Sequence, residues 1–260
     1  VNLHGGEPTI HPHFVETLDL IGELGYAEVH LQTNGFRLAD IRFMRQLAER
    51  RVTKVIISLH GDSPELHEAH VHTTGGFEKA ITAIVNAKSL GVHVRTNTVI
   101  TKLNLENLSA IAQLCCDLGV DHINLSNMHP VGSARFSRSW TMPRLRDMRP
   151  HLPPAVSLAV EQERQVTLEG FPYCTLDGPL AQMHLGNEYR QIKLLIGDQT
   201  LSDYDTFMRE RMRTLGDTCQ DCAVQDLCGG VYPEYIEYYG WDEFDSSAIP
   251  ALHALEAARS

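Results

Sequence analysis

The sequence predicts an α/β protein: a partial barrel of alternating strands and helices, followed by a small cysteine-rich extension. Three observations carry this expectation. Five short β-rich runs alternate with helical stripes over residues 1–126, each run ends in polar or glycine-rich sequence, and four cysteines gather in the last third of the 260 residues. Strands separated by helices of this length form a parallel sheet with right-handed crossovers.

The β-rich runs are Val1–His4, Ala27–Leu31, Val55–Leu59, Val92–Thr96 and Val120–Leu125. Phe14, Val15, Leu18, Ile21 and Leu24 mark one face of a first helix, with Pro12 suited to its first turn. Ile41, Met44, Leu47 and Ala48 mark a second. Phe77, Ala80, Ile81, Ile84 and Ala87 mark a third, and Leu108, Ile111, Ala112, Cys115 and Leu118 a fourth. Gly25, Gly91 and Gly119 stand where helix C-caps are expected. Residues 141–164 read as a helix interrupted by Pro150, Pro153 and Pro154, then a short strand over Gln165–Leu168. The βα rhythm breaks near 168–172, which divides the chain into 1–170 and an extension over 171–260 with a short ribbon around Tyr189–Leu195. The chain opens inside a strand, which leads us to expect residues upstream of Val1.

Polar ends on successive parallel strands converge on one mouth in a barrel, where a ligand sits. Those ends are Gly5-Gly6-Glu7-Pro8, Gln32-Thr33-Asn34-Gly35, Ser58-Leu59-His60-Gly61, Arg95-Thr96-Asn97-Thr98 and Asn124-Leu125-Ser126-Asn127. Paired glycines bring bare backbone against a ligand, and Glu7 beside them suits an ammonium group; a tight turn with an exposed acid is the plainer reading. Arg95 suits a carboxylate, and Asn97 a similar polar role. The histidines at 60, 67, 70 and 72, and those at 11 and 13, are expected on loops or helix surfaces. No hydrolase elbow, P-loop or dinucleotide fingerprint is present.

A formal charge of −11 argues against nucleic-acid binding. No run of 18 apolar residues suits a membrane span, and six cysteines without a secretion signal suit a cytoplasmic protein with a metal site. Cys219, Cys222 and Cys228, with Cys174 upstream, are spaced as ligands of one zinc ion or one iron–sulfur cluster. Cys115 and Cys116 fall in a helical stripe, where buried packing is expected of at least one. Tyr232, Tyr235, Tyr238, Tyr239 and Trp241 follow as an aromatic cluster, suited to guiding a peptide or to packing over the metal module.

In order, Gly5-Gly6-Glu7-Pro8-Thr9, Gln32 to Gly35, Ser58 to Gly61 with Gly75-Gly76-Phe77-Glu78, Asn97 to Asn104, and Asn127 to Gly132 resemble landmarks of the radical S-adenosylmethionine (radical SAM) superfamily. The resemblance covers about residues 1–170 and implies a partial (β/α)6 TIM-type barrel lacking its first unit. It implies that Gly5, Gly6 and Glu7 hold the amino group of S-adenosylmethionine and that Thr33 and Asn34 line the same cleft. Ser58 and Arg95, with Asn97, meet its ribose and carboxylate, while Leu125 and Val131 border the adenine. Cys219, Cys222 and Cys228, with Cys174, resemble the auxiliary [4Fe–4S] extension of peptide-modifying members, the SPASM or twitch type, with zinc as the alternative.

The superfamily's Cys-x3-Cys-x2-Cys triad, which holds its first [4Fe–4S] cluster, is missing from these residues. The resemblance implies an enzyme that, in its full-length form, generates a 5′-deoxyadenosyl radical for hydrogen abstraction from a peptide or protein side chain. A reductant such as flavodoxin or ferredoxin is the implied partner. The alternatives are a radical SAM enzyme acting on a small metabolite, and a non-catalytic barrel serving as a metal-stabilised binding module.

Overall fold

The computed structural model describes residues 1–183 and 193–245. Six strands form one sheet in chain order: β1 (Asn2–Leu3), β2 (Val29–Thr33), β3 (Val52–Ser58), β4 (His93–Ile100), β5 (His122–Asn127) and β6 (Gln165–Glu169). The pairs β1–β2, β2–β3 and β3–β4 are parallel. Helices follow each of the first five strands, as parallel pairing requires: α1 (Phe14–Glu23), α2 (Ile41–Glu49), α3 (Pro64–Val71), α4 (Gly76–Ser89), α5 (Leu108–Asp117), α6 (Ala134–Thr141), α7 (Leu145–Met148) and α8 (Leu152–Glu161). The expected α/β partial barrel is therefore the architecture seen. β4 runs past its expected end because Ile100 continues its buried alternation, and β3 starts earlier than expected because a register shift between Val29 and His30 sets the buried Val52 beside Val29.

Contacts divide the chain into two compact units. The first comprises Val1–Thr98, Glu106–Asn124 and Pro154–Val166. Side-chain parity organises its sheet. The register sets Leu31 beside Val55 and Val55 beside Val94, all wholly buried. Leu18, Met44, Leu47, Ile84 and Ile111 come from the helices covering this apolar face. Each such burial is worth about 1.5–3 kcal/mol. Alanines at 80, 83 and 87 line the buried side of α4, and Gly35, at φ +83°, packs so closely that an added Cβ would lie 3.2 Å from Ala83. The other face is polar: Gln32, Ile56 and Arg95 stand in one row, and Ser58 beside Asn97 in the next.

The second unit holds the remaining residues. The helix expected over 141–164 is two helices, α7 in this unit and α8, most of which belongs to the first, because Pro153 and Pro154 fit only the first turn of the latter. A hairpin joins Leu194–Ile196 to Gln199–Leu201, while most of the ribbon expected at Tyr189–Leu195 lies outside the described residues. The C-terminal helix Pro233–Tyr239 is fastened by its tyrosines. The fully buried Tyr235 hydroxyl accepts from the Leu145 amide at 2.8 Å and donates to Glu243 at 2.5 Å, and Tyr239 donates to the Met142 carbonyl at 2.6 Å. Packing thus accounts for most of the aromatic cluster, with Tyr238 left 40% exposed.

Of the histidines after β3, His72 is exposed as expected, whereas His67 and the rings packed on it depart from the surface expectation. His67 is buried, its ring lies 5.9 Å from that of His60, and its Nδ1 accepts the His60 amide hydrogen at 3.1 Å. His70 tilts against His60 at 5.7 Å. Gly61 makes this packing feasible, since an added Cβ would lie 2.4 Å from the His67 amide nitrogen. His11 and His13 are exposed, as expected.

Gly61→Ala should therefore lower stability by about 1–3 kcal/mol, read as a lower urea midpoint at unchanged m-value. Stability should also fall with acid. Burial pushes both His60 and His122 down to about 3, helped at His60 by His70 and His67 and at His122 by Arg95, Lys54 and His93. The unfolded chain therefore binds protons that the folded one refuses. Stability should decline from about pH 6.5 toward pH 3, and His60→Asn or His122→Asn should flatten that slope in urea titrations.

Candidate active site

The tip of β1 is the most strongly determined part of the site. Gly5 and Gly6 adopt φ values of +89° and +54°, and no atom lies within 4 Å of where either Cβ would be. Backbone conformation, not crowding, requires these glycines. Their main chain is left exposed beside the polar strand ends. Glu7 closes the turn by capping the short 3-10 segment Pro8–Ile10.

The Glu7 carboxylate accepts four hydrogen bonds. Oε1 takes the Thr9 hydroxyl at 2.6 Å, the Thr33 hydroxyl at 2.8 Å and the Thr9 amide at 3.1 Å. Oε2 takes the Asn34 amide at 2.7 Å. Glu7 thus fastens β1 to the end of β2, a different primary task from the expected direct grip on an ammonium group. Thr33 departs from its expectation as well. By register it stands beside Ile57 and Thr96, on the helix-covered face, and it is 3% exposed. Its Oγ1 also accepts the Gly35 amide at 3.1 Å, while the Asn34 side chain accepts that of Phe36 at 2.9 Å. Both residues shape the tip on which Glu7 depends.

By register Ser58, Arg95 and Asn97 lie on the polar face. Asn97 Oδ1 accepts from Asn124 Nδ2 at 2.7 Å, which fixes its amide orientation. Arg95 is 8% exposed, and its charge helps hold His122 neutral. Sequence reasoning placed Thr9 and Asn124 in strand-end motifs but gave no role to either, and they hold Glu7 and Asn97. The two-residue alternation of β5 that sets Asn124 apart from Ile123 and Leu125 was the available signal.

In the second unit, Leu125 is 1% exposed, in the core, and Val131 is 43% exposed in the loop after β5. Near them, Ser126 Oγ donates to Glu169 Oε2 at 3.2 Å, joining the ends of β5 and β6.

All six cysteines are free thiols. Cys115 and Cys116 are buried, as packing predicts, and Cys115 is pushed up to about 12 by burial despite its contact with Thr96. Cys174 is also pushed up to about 12, first by burial and then by Cys228, Cys219 and Cys222. Cys174 therefore has the other three thiols of the extension as neighbours across two chain segments. Among the described residues, however, no three His, Cys, Asp or Glu side chains form a set arranged to hold a metal ion. The shared neighbourhood fits a four-thiolate donor set, whereas the present arrangement is not a coordination shell. The described helices include none long and apolar enough to cross a membrane.

The chain is 34% identical over 138 residues to a probable GTP 3′,8-cyclase of Saccharolobus islandicus and 32% identical over 141 residues to that of Metallosphaera sedula. These matches take in 53% and 54% of this chain and 44% of each relative, so the chain spans less than half the length of these relatives. Among solved structures, Streptococcus suis SuiB bound to S-adenosylmethionine aligns with a TM-score of 0.64 at 16% identity, over 97% of this chain and 65% of that one. The enzyme anSMEcpe with bound AdoMet and Cp18Cys peptide aligns with a TM-score of 0.60 at 16% identity, over 99% and 85%. At that identity they establish the shared fold. Residues 1–115 match the family described as the radical SAM superfamily, which is what this part of the chain is similar to.

Proposed function

We propose that this chain is the substrate-placing barrel and cysteine module of a radical SAM enzyme that acts on a peptide or protein side chain. The observation that carries the radical reading is the β1 tip, where two glycines at positive φ are fixed beside a fully engaged glutamate in a chain matched to this superfamily. When bound, a reduced [4Fe–4S] cluster and S-adenosylmethionine supply one electron and a 5′-deoxyadenosyl radical. No Cys-x3-Cys-x2-Cys motif occurs in these 260 residues.

This chain's own residues place and shield. The exposed Gly5–Gly6 main chain offers carbonyl groups to the cofactor's ammonium, with Glu7 keeping the turn in shape. Arg95 offers its guanidinium to the carboxylate, Ser58 and Asn97 meet the ribose, and Leu125 and Val131 border the adenine. Cys174, Cys219, Cys222 and Cys228 would hold one auxiliary [4Fe–4S] cluster, with zinc as the alternative occupant. A one-electron donor of the flavodoxin or ferredoxin kind serves as partner.

The peptide assignment rests on the resemblance of the four-cysteine extension to that of peptide-modifying members. A second reading, turnover of a purine nucleotide, is favoured by the relatives named probable GTP 3′,8-cyclases.

The full-length gene product, reconstituted anaerobically and reduced, should form 5′-deoxyadenosine from S-adenosylmethionine. Full iron and sulfide loading without nucleoside would refute the radical reading, and consumption of GTP would favour the nucleotide reading over the peptide one. Gly6→Ala should strain the turn by about 1–2 kcal/mol and lower nucleoside formation more than it lowers the melting temperature. Cys222→Ser should remove the iron of one cluster; unchanged metal content would refute the four-thiolate site.

A further inference from the structure

Beyond the end of β5, the second unit contains a pair of groups that none of the foregoing uses. His129 Nε2 faces Glu234 Oε2 at 3.6 Å, and both atoms are shut off from water without a hydrogen-bond partner. Buried polar atoms left in this state are uncommon and costly. Here they face each other across a gap slightly longer than a hydrogen bond. The His129 ring is stacked on Tyr232, with centroids 3.9 Å apart and planes 10° apart. Arg213 lies over the same tyrosine at 4.8 Å and donates to its hydroxyl at 3.4 Å. Gly170 leaves room for that hydroxyl, since an added Cβ would lie 3.1 Å from it.

We propose that His129 is the proton-accepting side chain of the substrate site, with Glu234 and Tyr232 as its positioning residues. A carboxylate opposite Nε2 favours the tautomer with hydrogen on that nitrogen, which leaves the Nδ1 lone pair bare. Stacking on Tyr232 fixes the plane of the ring. His129 follows the C-terminal tip of β5, and the C-terminal ends of parallel barrel strands are where substrates are bound. Three charged or titratable groups face the ring. Burial, the largest influence, and Arg213 favour the neutral form, while Glu234 favours the protonated one. Tyr232 is held protonated by its burial, and Glu169 acts on it from β6. The ring therefore rests neutral at pH 7 with a counter-charge ready for the imidazolium.

The step is a proton transfer. A hydroxyl, thiol or ammonium hydrogen of the substrate leaves as a proton, its bonding pair stays on the heteroatom, and an Nδ1–H bond forms. The positive charge gained by His129 closes the 3.6 Å gap to Glu234 as an ion pair. Which substrate supplies the proton rests on the proposed radical reading; the tautomer and its cause do not.

Nitrogen-15 NMR of the wild-type chain should show His129 with Nε2 protonated and Nδ1 bare. Glu234→Gln should lower the His129 midpoint and weaken the tautomer preference. An Nδ1-protonated ring, or a preference unmoved by Glu234→Gln, would overturn the assignment. In the full-length enzyme, with whichever of peptide or GTP stimulates nucleoside formation, His129→Gln should lower product formed per 5′-deoxyadenosine about a hundredfold. It should also abolish the acidic limb of the pH profile. An unchanged ratio and profile would leave His129 a packing residue and overturn the proposal. Wild-type nucleoside formation reports separately on the radical reading.

Discussion

One carboxylate fixes the geometry on which the rest of the strand-tip site depends. Glu7 gathers the Thr9 amide and hydroxyl, the Thr33 hydroxyl and the Asn34 amide, all within 3.1 Å. Hydrogen bonds to a charged acceptor contribute about 1.5–3 kcal/mol each, more than neutral ones. This set joins the end of a two-residue strand, too short to hold itself, to its longer neighbour. The glycine pair just before Glu7 is thereby preset, so a ligand meeting its backbone need not order it first.

A second constraint is parity. Because side chains alternate across a strand, each tip sends adjacent residues to opposite faces. Thr33 goes to the helices, whereas Ser58, Arg95 and Asn97 go to the polar face. One face is therefore sealed by aliphatic side chains while the other remains available for chemistry. Asn124 and Asn97 show how that polar face keeps its own groups oriented.

Much of this was legible in the sequence. The six strands, the four apolar-striped helices α1, α2, α4 and α5 and the burial of Cys115 follow from periodicities of 2 and 3.6 residues, which burial enforces. The glycine turn was legible because only glycine suits positive φ twice in succession. Three features were not. The partners of Glu7 depend on Thr9 and Thr33 meeting across 24 residues of chain, which no local pattern encodes. The stacking of His60 on His67 depends on a close approach at Gly61 that a loop reading does not suggest. His129 and Glu234 are more than 100 residues apart and meet only because Tyr232 packs against Gly170 and stacks on the imidazole. The thiols of Cys174, Cys219, Cys222 and Cys228 occupy a middle case, since spacing brought out the set and the influence of the other three on Cys174 marks them as its neighbours.

The strand-tip site depends on the Glu7 anchor, and native-state hydrogen exchange reads that anchor most directly. The Asn34 amide should exchange at least about tenfold faster in Glu7→Ala than in the wild type, while the Leu31 amide within β2 keeps its protection. Equal Asn34 rates in the two proteins would show that this carboxylate does not hold the strand tips together.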